Sequence, residues 1–137
     1  MKQLRATKAL VSVNDEYIVR ILIDDQAALD KTDILEINRV KNQLVGDNRY
    51  VVIFIPGKGA SINHDGRVAS SSKEVYKNAI AKAIIAPNMT SRLIATFFIN
   101  MNRPPAPTKF FDDEVSAIQW LKSQMKKEKE MSKGKNQ

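Results

Sequence analysis

The stretch at residues 92–111, RLIATFFINMNRPPAPTKFF, constrains the fold more than any other part of the chain. Apolar residues recur at helical spacing over residues 89–101, and Asn102 can take the left-handed conformation that ends a helix. Pro104 then prevents the helix from continuing, because proline has no backbone N–H and its ring clashes with the preceding turn. The apolar run 108–111 follows at once and is typical of a short strand. A helix that ends so sharply before a strand fixes one side of a small domain.

The first half of the chain predicts a hairpin followed by a helix. Residues 8–13 and 16–23 alternate as strands do, and Asn14-Asp15 between them favours a two-residue turn. Asp30 is a candidate N-cap, and Gly46 is a candidate C-cap for the helix that follows. The apolar stripe of that helix consists of Ile34, Ile37, Val40 and Leu44.

The second half continues the alternation of strands and helices. Residues 50–55, YVVIFI, are typical of a strand covered on both faces, and a short helix is predicted near 64–72. Residues 79–86 favour a strand, although their alanines also allow a helix. Asp112 opens a last helix, whose predicted inner stripe is Val115, Ile118, Leu121 and Met125. The order β-β-α-β-α-β-α-β-α predicts the α/β class, with a mixed sheet of four or five strands, an N-terminal β-hairpin and about four helices.

Length and composition predict one domain, at residues 1–125, followed by a basic disordered tail at residues 126–137. The chain has 137 residues, 43% of them hydrophobic, which is enough for a core. The tail holds five Lys and two Glu, so it carries +3 of the net charge of +7. The domain is therefore only mildly basic, and we predict no specific nucleic-acid partner.

The same composition excludes several kinds of site. No apolar run approaches the ~20 residues of a membrane span, so we predict no span and expect a cytoplasmic protein. The chain has no cysteine and one histidine, His64, so a metal site built from His and Cys is excluded. No cofactor motif and no catalytic set is recognisable, because Gly57-x-Gly59 lacks both a third glycine and a following Gly-Lys-Ser/Thr. We therefore predict a protein that is not an enzyme.

The last third of the chain resembles the SpoIIAA-like (STAS-like) small domains, which include bacterial proteins labelled STAS/SEC14-like. The resemblance is carried by Ser91-Arg92-Leu93, Phe97-Phe98, residues 102–108 (NRPPAPT) and residues 110–121, in which Phe110-Phe111-Asp112-Asp113-Glu114 is followed by Ala117 and Trp120-Leu121. The resemblance implies a sheet of four or five strands with about four helices. It also implies a regulatory or binding role rather than catalysis.

In regulatory members of that family, a partner kinase phosphorylates a serine at the start of the helix after the third strand. Ser61 is the nearest candidate phosphoacceptor here, although Ala60 stands where the family motif has an Asp. The residues predicted to lie near this site are Gly57, Gly59, Asn63 and His64.

A second candidate surface is apolar. The apolar residues over positions 89–101 span a wider arc than one helix face normally buries, so part of that arc is available to a partner. The predicted partner or ligand surface consists of Ile94, Phe97, Phe98 and Trp120. We predict contact with a protein partner or with a second copy, as a homodimer. The alternative is a carrier of a small apolar ligand or lipid.

Overall fold

A computed structural model describes residues 1–87 and 103–135. Within these ranges the chain forms one six-stranded mixed sheet, a separate two-stranded ladder and three helices. The elements are β1 Lys2–Arg5, β2 Ala9–Val13, β3 Ile18–Ile23, β4 Ala28–Leu29, α1 Lys31–Val45, β5 Tyr50–Ile55, β6 Ser61–Ile62, α2 His64–Ser70, β7 Ala79–Ile85, β8 Thr108–Phe111 and α3 Glu114–Lys135. The predicted helix over residues 89–101 lies outside the described residues.

The sheet has the order β1-β2-β3-β5-β7-β8. The first three strands are antiparallel, and β3, β5, β7 and β8 run parallel to one another. This confirms the α/β class and the mixed sheet with an N-terminal hairpin. The prediction of four or five strands was too low. It missed β1, whose four residues are all exposed and do not alternate, and it missed the two-residue strands β4 and β6.

The hairpin turn is longer than predicted. It spans Asn14 to Tyr17, and Tyr17 has a φ of 61°, so Tyr17 belongs to the turn and not to β3. The Asn14 side chain accepts hydrogen bonds from the backbone N–H groups of Glu16 and Ile18, at 3.0 and 2.9 Å. This Asx geometry stabilises the wider turn.

Helix α1 begins and ends where the sequence predicts. The Asp30 carboxylate accepts from the backbone N–H of Asp33 at 2.9 Å, and the Asp33 carboxylate accepts from the backbone N–H of Asp30 at 3.0 Å. This reciprocal capping box satisfies two backbone donors that the first turn of a helix leaves open. Gly46 follows the last turn with a φ of 58°, a value that glycine adopts without strain.

Two cores lie on opposite faces of the sheet. Tyr50 and Val52 of β5 point to the face covered by α1 and α2, whereas Val51 and Ile53 point to the face covered by α3. All four residues are buried, which confirms that β5 is covered on both sides. On the α3 face, Ala117 and Leu121 are fully buried against β5 and β7.

Helix α3 differs from its prediction at both ends. Val115 was assigned to the inner stripe, but it is 69% exposed. The predicted disordered tail also differs, because α3 continues through residues 126–135. Lys and Glu are good helix formers and no proline interrupts the segment, so helix propensity extends α3 where no apolar stripe requires it. Among the described residues, no helix has the length and apolar character needed to cross a membrane.

Candidate functional site

The loop after β5 lies at the carboxyl edge of the parallel strands, and its glycines are required by packing. A Cβ atom on Gly57 would lie 2.4 Å from the backbone oxygen of Ile23. Gly59 has a φ of 72°, and a Cβ atom there would meet the Gln26 side chain. The loop therefore packs closely against the turn that follows β3. The Gly57-x-Gly59 pattern has a structural cause that needs no phosphate ligand.

The structure brings the other predicted loop residues together at this edge. Ser61 is exposed in β6, which pairs with β4. Asn63 is the N-cap of α2, and its side-chain oxygen accepts from the backbone N–H of Gly66 at 2.8 Å. His64 is the exposed first residue of α2. The role of Ser61 as a phosphoacceptor stays a prediction.

The predicted apolar surface is described only at Trp120, because Ile94, Phe97 and Phe98 lie outside the described residues. Trp120 is half-buried on α3, and its ring lies 5.5 Å from the ring of Phe111, centroid to centroid. It belongs to the core on the α3 face, whereas the Ser61 loop packs with the core on the opposite face. Ser61 and Trp120 are therefore separated by the sheet.

A large groove lies between α3 and the amino ends of the parallel strands. It has a volume of about 760 Å³, and we call it the α3 groove. Its strand side is formed by Asp15, Glu16, Tyr17, Arg49, Ile80 and Pro107. Its helix side is formed by Gln124, Met125, Lys127, Glu128, Lys129, Met131 and Ser132. The extension of α3 beyond residue 125 is what creates this groove.

The α3 groove is spanned by an ion pair. The guanidinium of Arg49, just before β5, donates to the carboxylate of Glu128, with Nε and Oε2 3.3 Å apart. A second pair joins α3 to the β2–β3 turn, with Lys122 Nζ 3.9 Å from Glu16 Oε1. The Arg49–Glu128 pair joins the exposed half of α3 to the sheet, and the Lys122–Glu16 pair lies beside its packed half.

Two buried lysines form a site on the opposite face of the sheet. Lys41 on α1 is 3% exposed, and Lys82 on β7 is 6% exposed. Lys41 Nζ donates to the backbone oxygen of Val75 at 2.7 Å. Lys82 Nζ donates to Ser70 Oγ at 2.8 Å. Neither amine has a carboxylate among its hydrogen-bond partners in the described residues.

Aromatic rings surround the two amines. Lys41 Nζ lies 4.8 Å from the centre of the Tyr50 ring. Lys82 Nζ lies 5.3 Å from the ring centre of Phe54 and 5.5 Å from that of Tyr76. Cations are attracted to the faces of aromatic rings, so these contacts offset part of the unfavourable desolvation.

Burial controls the electrostatics of this site. Burial, together with the smaller effect of the neighbouring charge of Lys82, lowers the pKa of Lys41 to about 7. Burial lowers the pKa of Lys82 to about 8. It raises the pKa of Tyr76 to about 12 and also raises the pKa of Tyr50, because a buried phenolate is unfavourable. Near neutral pH both phenols are therefore neutral, while the two amines share less than two full charges.

A small cavity of about 30 Å³ adjoins both amines, and we call it the lysine cavity. Its walls are Ile21, Lys41, Val52, Val75, Tyr76, Ala79 and Lys82. A water molecule needs roughly 10–15 Å³ by the same measure, so there is room for a group of two or three non-hydrogen atoms. The site thus combines hydrogen-bond donors with mostly apolar walls.

Sequence reasoning missed both lysines, because a lysine is expected at the surface. One signal was present in the sequence, because Lys41 lies four residues after Ile37, within the apolar stripe of α1. The burial of Lys82 becomes visible only in the strand register, where Lys82 pairs with Val52 of the adjacent strand and shares its buried face.

Comparison with solved structures identifies the fold class. The chain is similar to an uncharacterised protein of the DUF3478 family with a SpoIIAA-like fold, from Shewanella loihica PV-4. The TM-score is 0.61 at 13% identity, over 88% of this chain and 99% of the other. A protein of unknown function from Arthrobacter sp. FB24 is 25% identical over 81% of this chain and 96% of the other, with a TM-score of 0.27. The first similarity establishes a SpoIIAA-like fold, as the sequence resemblance implied.

The family follows from the sequence. The family described as Domain of unknown function (DUF7793) matches residues 11–125, and the chain belongs to this family. No curated protein matches the chain.

Proposed function

We propose that the protein is a non-catalytic binding module that acts through protein–protein contact, and that the α3 groove is its contact surface. The partner in this proposal is a second copy of the chain. The observation that carries the proposal is the groove itself, a 760 Å³ concavity formed where a charged helix continues beyond the domain core.

The composition of the α3 groove supports a protein partner. Tyr17, Arg49, Met125 and Met131 lie in its walls, and Tyr, Met and Arg are enriched in protein interfaces. Met131 is 65% exposed, so its flexible side chain is available for contact. Ile80 and Pro107 add further apolar surface.

The charges of the α3 groove support a second copy as that partner. In a two-fold symmetric contact a surface patch meets itself, so a patch of a single sign would repel its partner. The groove carries three acidic and three basic side chains, which balance: Asp15, Glu16, Glu128, Arg49, Lys127 and Lys129. A balanced patch can place each charge opposite one of the other sign.

The experiment is sedimentation equilibrium of the full chain over a range of concentrations. We expect a monomer–dimer equilibrium that Met131→Glu weakens by about tenfold or more, because it places a charge in the apolar part of the contact. Val68→Glu is the matched control, since Val68 is a 45% exposed apolar residue on α2, across the sheet. It should leave the equilibrium unchanged. A monomer at every concentration, or equal effects of the two variants, would contradict the proposal.

Regulation at Ser61 is a further part of the proposed function. Its exposure at the carboxyl edge makes the hydroxyl accessible to a kinase. Ser61 lies at the sheet edge opposite the α3 groove, so a phosphate there would act on a different contact. We expect Ser61→Asp to change the affinity for a partner recovered by affinity capture with the wild-type chain. Unchanged affinity, together with unmodified Ser61 in cells, would contradict this part.

The alternative of a carrier for apolar ligands or lipids receives less support. Pockets for drug-sized ligands measure roughly 300–1,000 Å³, and the lysine cavity, at about 30 Å³, is far smaller. The α3 groove, at about 760 Å³, has that size, but six of its thirteen lining residues are charged, which does not suit an apolar ligand. Native mass spectrometry of protein purified from cells would favour this alternative if it detected a bound lipid.

A further inference from the structure

The lysine cavity is not explained by the fold or by the proposed contact surface. It lies under α1 and α2, whereas the α3 groove lies beside the helix on the other face of the sheet. An apolar pair of similar size at these two positions would fill the same core without desolvating an amine. A buried ion pair or triad can often be replaced in that way with no loss of stability. The two amines therefore need a different physical reason.

The missing component is negative charge. Buried charges in proteins are normally paired, but Lys41 and Lys82 donate to a backbone oxygen and a serine hydroxyl. The segment 88–102, which lies outside the described residues, contains no Asp or Glu, so its side chains cannot supply a carboxylate. An anion from solution would provide the missing partner.

The donors that surround the lysine cavity fit an oxyanion. Each ammonium has three N–H donors, and among the described residues each makes one hydrogen bond. Among the described residues, two donors on each ammonium therefore have no acceptor, and a ligand in the cavity would supply one. Charge-assisted hydrogen bonds to a carboxylate are among the strongest that side chains make.

The size and the walls of the lysine cavity restrict the ligand further. A volume of about 30 Å³ accepts a three-atom carboxylate, whereas a phosphate group has five non-hydrogen atoms. The carboxylate group fills most of this volume, so the rest of the acid is limited to a group about as small as methyl, against the apolar side chains of Ile21, Val52 and Val75. We propose that the lysine cavity binds the carboxylate of a small monocarboxylic acid between Lys41 and Lys82.

The test is a titration of the full chain with sodium acetate near neutral pH, with sodium chloride added to hold the ionic strength constant. Backbone amide NMR signals report binding. We expect saturable shifts at residues that surround the cavity, in α1, β7 and the α2–β7 connection. Lys41→Met and Lys82→Met should each raise the acetate dissociation constant by at least about tenfold, because each removes a charge-assisted hydrogen bond.

The matched control is Lys77→Met, which removes the same charge from an exposed position next to Tyr76. It should bind acetate as the wild type does. Met fills the volume of the Lys side chain without a buried charge, so the cavity variants are expected to fold, and their amide spectra verify this.

Three outcomes would overturn the proposal. They are acetate shifts that do not saturate, equal affinities in Lys82→Met and Lys77→Met, and tighter binding of inorganic phosphate or chloride than of acetate. The Met131→Glu variant separates this proposal from the proposed function. It should bind acetate normally even if it no longer dimerises.

Discussion

At the scale of single residues, Lys41 and Lys82 make the stability of the protein depend on pH. In the unfolded chain both amines return to the ordinary pKa of 10.5, whereas in the folded protein the pKa values are about 7 and about 8. Between pH 7 and 9 the folded protein therefore loses protons that the unfolded chain keeps. Stability rises with pH wherever the unfolded state binds more protons.

We predict that the free energy of unfolding rises from pH 7 to pH 9 by roughly 2–4 kcal/mol. Tyr50 and Tyr76, which face the same amines, stay neutral over this window because burial raises their pKa values. Urea denaturation at several pH values measures the effect. The double variant Lys41→Met with Lys82→Met should lose most of the rise, and Lys77→Met should keep it. A flat or falling profile for the wild type would show that the amines are not desolvated.

At the scale of elements, α3 carries the most consequential difference between sequence and structure. Its first half is fixed by Ala117 and Leu121, which are fully buried. Its second half is almost entirely exposed and is tied to the sheet through Arg49 and Glu128. Residues 126–135 are thus helical for three reasons. Their side chains have high helix propensity, one ion pair joins them to the sheet, and they continue a helix whose first half is packed.

We predict that removing residues 126–137 lowers the helical circular dichroism signal by the equivalent of about ten residues, since α3 ends at Lys135. The truncated chain should keep its cooperative unfolding transition, because its buried residues on α3 remain. Arg49→Ala in the full chain removes only the ion pair with Glu128, so it should reduce the helical signal less than the truncation does. An unchanged signal after truncation would mean that the tail is disordered, as its lack of apolar periodicity first suggested.

The elements also show what the sequence could predict and why. Helix α1 was predictable because the N-cap Asp30, the C-cap Gly46 and the apolar stripe all indicate the same helix boundaries. Strand β5 was predictable because six β-branched or aromatic residues follow one another. Strand β1 was not predictable because all four of its residues are exposed, and the β4–β6 ladder was not because each of its strands has only two residues, too few for a pattern. Of the candidate sites, the position of Ser61 after β5 was predictable. The lysine cavity was not, because burial of Lys82 depends on α1, α2 and β7 meeting in space.

At the scale of the whole molecule, the central strands β3, β5 and β7 contribute residues to the cores on both faces of the sheet. Val19, Val51, Ile53, Ala81 and Ala83 are all fully buried, and they lie in β3, β5 and β7. We predict that the backbone amides of these strands exchange with deuterium most slowly and those of β1 fastest, since all four residues of β1 are exposed at the edge. Hydrogen exchange followed by NMR checks this order. Exchange in β1 as slow as in β5 would show that its edge is covered, for example by another strand.

The edge of the sheet bears on how copies can meet. Among the described strands, β1 pairs only with β2, so its other edge is open, and its sequence KQLR carries Lys2 and Arg5. Positive charges on an edge strand discourage a second sheet from pairing with it. Contact between copies is therefore expected through helix α3 and its groove, rather than by joining two sheets.

The position of α3 at the end of the described chain has a consequence for synthesis. Ile18, Val51, Ile53, Ala81 and Ala83 form the apolar face that Ala117 and Leu121 cover. Because translation proceeds from the amino terminus, the strands that carry this face leave the ribosome before the helix that covers it. For that interval the nascent chain presents bare apolar surface. A chaperone that binds nascent chains is thus expected to engage this face after β7 emerges and to release it when α3 docks.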